Sequence, residues 1–389
     1  MNLDSPRTTS AAHRRPHSRT TLRTSVRRRT RWALTAPLVA VAVVAVACVP
    51  ASDPGAAPEP APVVRDPGAV QAPPNTAPST TPAGSFIPAG ERMPIAGCQL
   101  FPANNVFRAD ISSLPAAPNS AAVIAAGGGA GMQLRSGFKS SIWQGSRGGI
   151  PINVVDSRQT PMQDVNVGTY HYMSDPRNHP IPANPKVEGH PGMAWDRHLL
   201  IVDQATCRSH EFFYAQPPLP VVGTRWSAET AVKFDLSSNA SRNRGSAIAA
   251  GFSMLARMIR YEEVAAGRLD HVLGITLPNI SNQGAIWPAS GSDGRSSDPN
   301  MPRMGSWFRL RADADLSGLG PDALLIARAL QRHGAILGDT GPAHLSLLGE
   351  NDARWNDADI DGLKRFTLAD FELIDPTPMK VSNTSYEIR

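Results

Sequence analysis

The chain has 389 residues, 41% of them hydrophobic, and a formal net charge of +5 with a sequence pI near 9.4. Residues 1–48 contain nine arginines and one acid, a net charge of +8, so the remaining residues carry −3. A net negative remainder has no overall attraction for phosphate backbones, which argues against nucleic-acid binding. Roughly 300 residues follow the N-terminal low-complexity part, enough for one large domain or two small ones.

The first 48 residues have the pattern of an export signal. An arginine cluster at 27–31 precedes an apolar run that ends at Cys48, and this order is typical of secretory signals. The sequence AVAC at 45–48 resembles a bacterial lipobox, although Ala45 stands where Leu or Val is usual. We therefore predict a protein that is lipid-anchored at Cys48 on the outer face of the cell membrane. The alternatives are plain cleaved secretion and an uncleaved anchor, for which the run falls short of the about 20 residues that a span needs.

Residues 49–92 are predicted to form a disordered spacer. The stretch 49–90 contains 11 prolines, many alanines and few large apolar residues, so it cannot bury a core and favours extended polyproline II structure. Such a segment would hold a domain away from the membrane. We assign residues 93–389 to a single β-rich globular domain.

The strand predictions come from apolar runs and alternation. Residues 197–203 form a near-continuous apolar run, which is typical of a strand buried on both faces. Residues 207–215 are interpreted as the returning strand of a hairpin. Alternating apolar residues predict a strand at 269–277, and another is predicted at 304–314.

Helices are fewer, and they are predicted at 253–266, 321–333 and 358–366. The second of these begins with proline in its first turn, has an apolar face, and ends before Gly334. The pattern as a whole predicts a mainly β fold, a β-sandwich or jelly-roll-like domain, with two or three peripheral α-helices.

The sequence lacks several cofactor and metal motifs. It has no nucleophile elbow, no HExxH, no P-loop lysine motif and no CxxC. The glycine-rich segment 127–131 lacks the spacing and the downstream acid of a dinucleotide site, so it is interpreted as a turn after a short helix. We predict neither a cofactor nor a metal site.

The densest polar cluster lies on the central hairpin. If the chain turns near 204–205, His198 faces Glu211 and Asp196 lies diagonally close. Cross-strand neighbours on one face are about 5–8 Å apart, a separation at which two carboxylates can hydrolyse a glycosidic bond. We therefore predict Asp196 and Glu211 as the catalytic carboxylates, with His198 orienting one of them. The alternative is a structural network in which the three groups satisfy one another and Arg197.

A second polar set contains Tyr170 and His171. A Tyr/His pair is suited to a polysaccharide lyase, with Arg242 or Arg244 neutralising a uronate carboxylate. The alternative is a strand on which core and surface residues alternate.

Three further residues are predicted to contact substrate. Trp226 and Trp287 lie beside turn-like segments, where exposed indoles stack on sugar rings, although core packing is the commoner role. Asp339 follows a predicted strand, where it either lines a cleft or shapes a turn.

The cysteines fit an oxidising compartment. If Cys48 carries lipid, Cys98 and Cys207 remain, and an exported pair is most simply a disulfide. It would close a loop of about 110 residues, worth about 4–5 kcal/mol in the chain-entropy model. Two lone thiols or a metal site are the alternatives.

Several strings resemble a group of uncharacterised secreted bacterial proteins. They are DRHLLIVD at 196–203 with Cys207 and Glu211 following, FDLSSN at 234–239, RYEEVAAG at 260–267, and MG before FRL at 304–310. The similarity spans roughly residues 98–372. It implies one exported domain containing the Cys98–Cys207 pair, and it implies no particular activity or catalytic residue.

The leading hypothesis is a surface-anchored enzyme that degrades polysaccharide as a glycoside hydrolase. Its partners would be a polysaccharide or cell-wall glycan, and the membrane through the lipid at Cys48. The alternatives are a non-catalytic glycan- or cell-wall-binding lipoprotein, a polysaccharide lyase, and a lipoprotein that partners another envelope protein.

Overall fold

The computed structural model describes residues 92–219 and 223–389, and all of them belong to one compact unit. The export signal, Cys48 and the spacer up to residue 91 lie outside the described residues. Within the described part of the chain, no helix is both long and apolar enough to cross a bilayer.

More residues lie in strands than in helices, so the predicted mainly β character is confirmed. The strands are β1 Leu134–Ser136, β2 Ile142–Trp143, β3 Ser146–Arg147, β4 Ile152–Val155, β5 Met162–Gln163, β6 Asn166–Val167, β7 His179–Pro180, β8 Leu199–Asp203, β9 Arg208–Phe213, β10 Ser227–Ala228, β11 Thr230–Asp235, β12 Leu273–Leu277, β13 Trp307–Leu310, β14 Ala335–Thr340, β15 Leu345–Leu347 and β16 Phe371–Ile374. The α-helices of the described residues are α1 Ser120–Ala126, α2 Tyr261–Ala265, α3 Pro321–Arg332 and α4 Asp357–Ile360.

Two larger sheets organise the domain. One is a curled six-stranded sheet of order β1-β15-β12-β14-β13-β16, and the other has four strands of order β11-β9-β8-β4. Both sheets are mixed, because β1 with β15, β12 with β14, and β4 with β8 are parallel pairs. Parallel neighbours require long crossover connections rather than tight hairpins. Neighbouring strands are therefore far apart in sequence, and residues from distant parts of the chain lie together at one end of a sheet.

Strand β8 lies between two apolar cores, as its unbroken apolar run predicts. All five of its residues are buried. Leu200 and Val202 pack in the larger core, whereas Leu199 and Ile201 pack in a smaller one. Successive strand residues point to opposite faces, so β8 is a rigid support for the residues that precede it.

The predicted register of the central hairpin is wrong by two residues. Leu200, not His198, lies opposite Glu211, and the last pair is Asp203 with Arg208. The turn is longer than the predicted one because the Asp203 carboxylate accepts hydrogen bonds from the backbone of Ala205, at 3.1 Å, and from the Thr206 hydroxyl, at 2.5 Å. A shift of two preserves which face each residue occupies.

Helix α3 confirms the prediction to within one residue, but the predicted helix at 253–266 is divided. It consists of a 3₁₀ turn at Leu255–Arg257, an extended stretch, and α2. The break arises because the Ile259 amide donates to the carbonyl of Leu348, as a strand residue would. The predicted helix at 358–366 is α4 followed by a 3₁₀ turn at Asp361–Arg365.

The structure confirms the disulfide between Cys98 and Cys207, which are 109 residues apart. Replacing both cysteines by serine should lower the free energy of unfolding by about 4–5 kcal/mol, because the denatured chain regains the entropy of a long open loop. Urea unfolding of the variant and of the oxidised wild type measures the difference. A loss below about 1 kcal/mol would contradict a stabilising role for this bond.

Candidate active site

One cavity of about 180 Å³ lies where strands β12, β14 and β15 of the six-stranded sheet meet the segment that leads into β8. It combines three of the residues singled out from the sequence, Asp196, His198 and Asp339, which are far apart along the chain. Its polar lining comprises Glu188, Asp196, His198, Arg257, Thr276, Asp339, Thr340 and Ser346. The chain entering β8 supplies one wall, and the end of β14 supplies another.

His198 is held in one tautomer at the entrance to β8. Its side chain is buried, and its Nδ1 lies 3.0 Å from the carbonyl oxygen of Phe212. Since a carbonyl only accepts, Nδ1 must carry the proton, and the neutral ring then has its lone pair on Nε2. No described residue bonds to Nε2, so this is the nitrogen available to a ligand in the cavity.

Asp339 is the acid at the carboxyl end of β14. Its carboxylate oxygens accept from the backbone amides of Ala249, at 3.3 Å, and Thr340, at 2.9 Å. Burial, and then the negative charge of Asp293, raise the pKa of Asp339 to about 7. The group is therefore partly protonated near neutral pH, as a general acid must be.

Asp196 and Glu188 add two further carboxylates to the lining. Asp196 is exposed, and its negative charge contributes to the raised pKa of Asp339. Glu188 accepts a hydrogen bond from the backbone amide of His198 at 3.1 Å, and burial raises its pKa. The cavity thus contains the exposed carboxylate of Asp196 and the half-buried carboxyl of Asp339, which keeps its proton up to near neutral pH.

Arg257 forms part of the cavity wall and was not singled out from the sequence. Its side chain is buried, its Nη1 donates to the carbonyl of Ile336 at 3.0 Å, and its Cζ lies 4.4 Å from the centre of the Phe252 ring. It forms no ion pair with any described carboxylate.

Glu211 lies in the core and does not line the cavity. It is fully buried and accepts from Ser253 Oγ at 2.5 Å, the Met254 amide at 2.8 Å and Ser209 Oγ at 3.0 Å. Burial raises its pKa. The predicted catalytic pair of Asp196 and Glu211 is therefore not assembled, because the two-residue register shift places Glu211 beside Leu200.

Glu211→Ala should destabilise the fold by about 3–5 kcal/mol, because three donors lose their acceptor in a buried site. Glu211→Gln, which retains one acceptor oxygen, should cost less. Chemical denaturation of both variants gives the comparison. A Glu211→Gln protein with wild-type stability and no activity would contradict this structural placement.

The Tyr/His set lies apart from the cavity lining. Tyr170 and His171 are exposed, and the residues 171–173 form a 3₁₀ turn instead of the strand considered from the sequence. Arg242 forms an ion pair with Asp175 and donates to the carbonyl of Gly245. The predicted uronate-binding arginine is therefore engaged by the protein itself.

The two tryptophans chosen from the sequence are not exposed platforms. Trp226 is 8% exposed and packs in the smaller core. Trp287 is partly buried, and its indole N–H donates to the carbonyl of Ser385 at 3.0 Å.

A different tryptophan, Trp143, is 59% exposed, next to Ile142 at 66%. It lies in the β2–β3 hairpin, where Ser146 Oγ accepts from the amides of Gly192 and Met193. These contacts tie the hairpin to the loop that carries Glu188 and Asp196. Alternation gave no signal here, because each strand has only two residues.

The chain does not match any protein-family model, and searches of curated proteins and of solved structures likewise gave no match. The resemblance to secreted bacterial proteins therefore remains a prediction. Among the described residues, no group of three or more His, Cys, Asp or Glu side chains is placed to hold a metal ion.

Proposed function

We propose that this protein is an exported, lipid-anchored glycoside hydrolase whose active site is the cavity containing Asp339, Asp196 and His198. The observation that carries the proposal is that one cavity is lined by both Asp339, whose pKa burial raises to about 7, and the exposed carboxylate of Asp196. Glycosidases use this division, since one carboxyl protonates the leaving oxygen while another acts as base or nucleophile.

The roles follow from the environment of each group. Asp339 would donate its proton to the glycosidic oxygen, and Asp196 would activate water or attack the sugar. His198 presents Nε2 to the cavity and would accept a hydrogen bond from a sugar hydroxyl. Asp196 thus keeps its predicted place in the carboxylate pair, and Asp339, which was predicted to contact substrate, takes the place of Glu211. His198, which was predicted to orient a carboxylate, would bind the sugar instead.

The size of the cavity and its surroundings suit a sugar ligand. About 180 Å³ is less than the roughly 300–1,000 Å³ of pockets for drug-sized ligands, so it fits one sugar ring better than an extended chain. Trp143 would stack on a neighbouring ring of the same glycan. Lipidation at Cys48, a Pro/Ala-rich spacer between the anchor and the domain, and a sandwich or jelly-roll arrangement of the sheets remain parts of this proposal.

The test is to incubate the purified protein with a panel of neutral and acidic polysaccharides and to measure new reducing ends. We expect cleavage by the wild type and its loss in Asp196→Asn, with Asp313→Asn as the control because Asp313 is exposed and outside the cavity. Unsaturated products would instead indicate a lyase acting through Tyr170 and His171.

A non-catalytic glycan-binding lipoprotein is the second candidate, and the exposed indole of Trp143 favours it. Retention of a glycan without any new reducing end, together with loss of retention in Trp143→Ala, would select this alternative. If Trp143 serves catalysis, the same variant should raise KM several-fold and leave kcat nearly unchanged, because stacking binds ground and transition states alike.

A further inference from the structure

Arg257 is a buried cation without a salt bridge to any described residue, and burial lowers its pKa to about 9, an effect that the charges of Asp339 and Glu211 only partly offset. Its side chain is 2% exposed, and it forms no ion pair within the described part of the chain. Its Nε has no hydrogen-bond partner there. An isolated charge in a protein interior is costly unless it is paired. Because Arg257 lines the cavity, the missing partner has a place to bind.

The sheet is shaped to hold this guanidinium in place. A Cβ atom at Gly338 would lie 2.6 Å from Arg257 Cζ, and one at Gly274 would lie 2.9 Å from Nη1. Only glycine at these two strand positions lets the planar group lie against β12 and β14. The hydrogen bond to Ile336 and the ring of Phe252 fix the other edge and one face.

A second unsatisfied group lies next to the first. Thr276 Oγ1 is buried without a hydrogen-bond partner, at a bulge in β12, and Thr276 lines the same cavity. Strand register pairs Thr276 with Asp339, whose neighbour Gly338 contacts Arg257. The cavity therefore places near the acid Asp339 a guanidinium whose Nε has no hydrogen-bond partner among the described residues and a hydroxyl that likewise has none.

We propose that Arg257 and Thr276 form a subsite for the carboxylate of an acidic sugar, so that the substrate is a uronate-containing glycan. A guanidinium binds a carboxylate through two parallel hydrogen bonds. A singly charged anion fits better than a phosphate dianion, because Glu188, Asp196 and Asp339 line the same space and repel added negative charge. The choice of a glycan rests on the proposed function, whereas the anion site itself does not.

Binding is tested without cleavage, by titrating the protein with methyl β-glucuronide and, as the matched neutral ligand, methyl β-glucoside, followed by saturation-transfer NMR. We expect the glucuronide to bind at least about tenfold more tightly, in keeping with one charge-assisted interaction. Arg257→Met should abolish this preference.

Thr276→Val keeps the test decisive if Arg257→Met does not fold. It should weaken glucuronide binding several-fold and leave thermal stability unchanged or higher, since the removed hydroxyl has no partner. The matched control is Thr230→Val, because Thr230 Oγ1 is also buried and unpartnered but lies outside the cavity; it should leave binding unchanged.

Equal affinity for the two glycosides, no glucuronide binding at all, or tighter binding of inorganic phosphate than of glucuronide would each overturn the carboxylate subsite. A preference for glucuronide that disappears in Arg257→Met, in a protein that cleaves no polysaccharide, would confirm the subsite and refute the hydrolase. Cleavage restricted to neutral glycans would retain the hydrolase and refute the subsite.

Discussion

Replacing Asp339 by asparagine should lower kcat for glycan cleavage by about 10²–10⁴-fold, the usual contribution of a general acid. The amide has the same shape and retains an acceptor oxygen for one of the two backbone amides, those of Ala249 and Thr340, but it cannot donate a proton to the leaving oxygen. The free energy of unfolding should change by no more than about 1–2 kcal/mol, because asparagine avoids burying a charge but leaves one of the two backbone amides without its acceptor.

Asp293→Asn provides the matched control for this result. Asp293 is exposed and raises the pKa of Asp339 through its negative charge. Removing that charge should lower the pKa of Asp339 and move the high-pH decline of kcat/KM to lower pH, without abolishing cleavage. An Asp339→Asn enzyme that retains more than about a tenth of wild-type kcat would show that another group supplies the proton.

The second large effect is expected on acidification, at the buried pair His179 and His210. Their Nδ1 atoms lie 3.0 Å apart, and His179 Nε2 lies 2.5 Å from the carbonyl oxygen of Asp175. Since the carbonyl accepts, His179 Nε2 carries a proton, so His179 Nδ1 must accept from His210 Nδ1. Protonating His179 would place two N–H groups face to face.

Burial lowers the pKa of His179 to about 4 and that of His210 to about 3. In the unfolded chain both histidines have ordinary pKa values near 6.5. Between about pH 4 and pH 6.5 the unfolded chain therefore binds more protons than the folded protein. Stability from this pair is therefore complete above pH 6.5 and is lost as pH falls toward 4, by up to about 1.4 kcal/mol per pH unit for each histidine.

When the pH is lowered from about 7.5 to about 5, the free energy of unfolding should fall in both proteins. The fall should be roughly 4 kcal/mol smaller in the double variant His179→Phe, His210→Leu than in the wild type. The two proteins are compared by the slope of the free energy of unfolding against pH, not by its value at one pH. Carboxyls with a raised pKa, such as Asp339, give a slope of opposite sign in both proteins and cancel in the comparison. His171→Gln is the control, since His171 is exposed, and it should leave the slope unchanged. Identical slopes in the double variant and the wild type would contradict this account of the pair.

The local sequence pattern predicted those strands and helices that are specified by their own residues, without contacts from distant parts of the chain. The apolar run of β8 and the amphipathic face of α3 are sufficient to specify them. The register of the β8–β9 hairpin was predicted wrongly because the Asp203 side chain, not the apolar pattern, sets the turn. The segment at 253–266 was divided by a backbone contact between Ile259 and Leu348, which no local signal encodes.

The candidate site was predictable only in part for the same reason. The sequence indicates Asp196, His198 and Asp339 because each is a polar residue at the end of an apolar run. Their assembly depends on parallel pairings such as β12 with β14, which connect segments distant in sequence. No sequence pattern indicated Arg257, because its distinguishing property, a buried guanidinium whose Nε has no hydrogen-bond partner in the described part of the chain, exists only in the folded state. A glycine inside a strand, such as Gly338 in β14, often marks a close approach by another group, and here that group is the Arg257 guanidinium.

Central to this account is that Asp339 keeps its proton near neutral pH inside the cavity. Carbon-13 NMR of the aspartate side-chain carboxyls, recorded from pH 4 to pH 9 on wild type and Asp339→Asn, tests it without a substrate. We expect one resonance that titrates near pH 7 in the wild type and is missing from the variant. If the resonance missing from the variant titrates near pH 4 in the wild type, Asp339 is an ordinary carboxylate and the proposed acid is refuted.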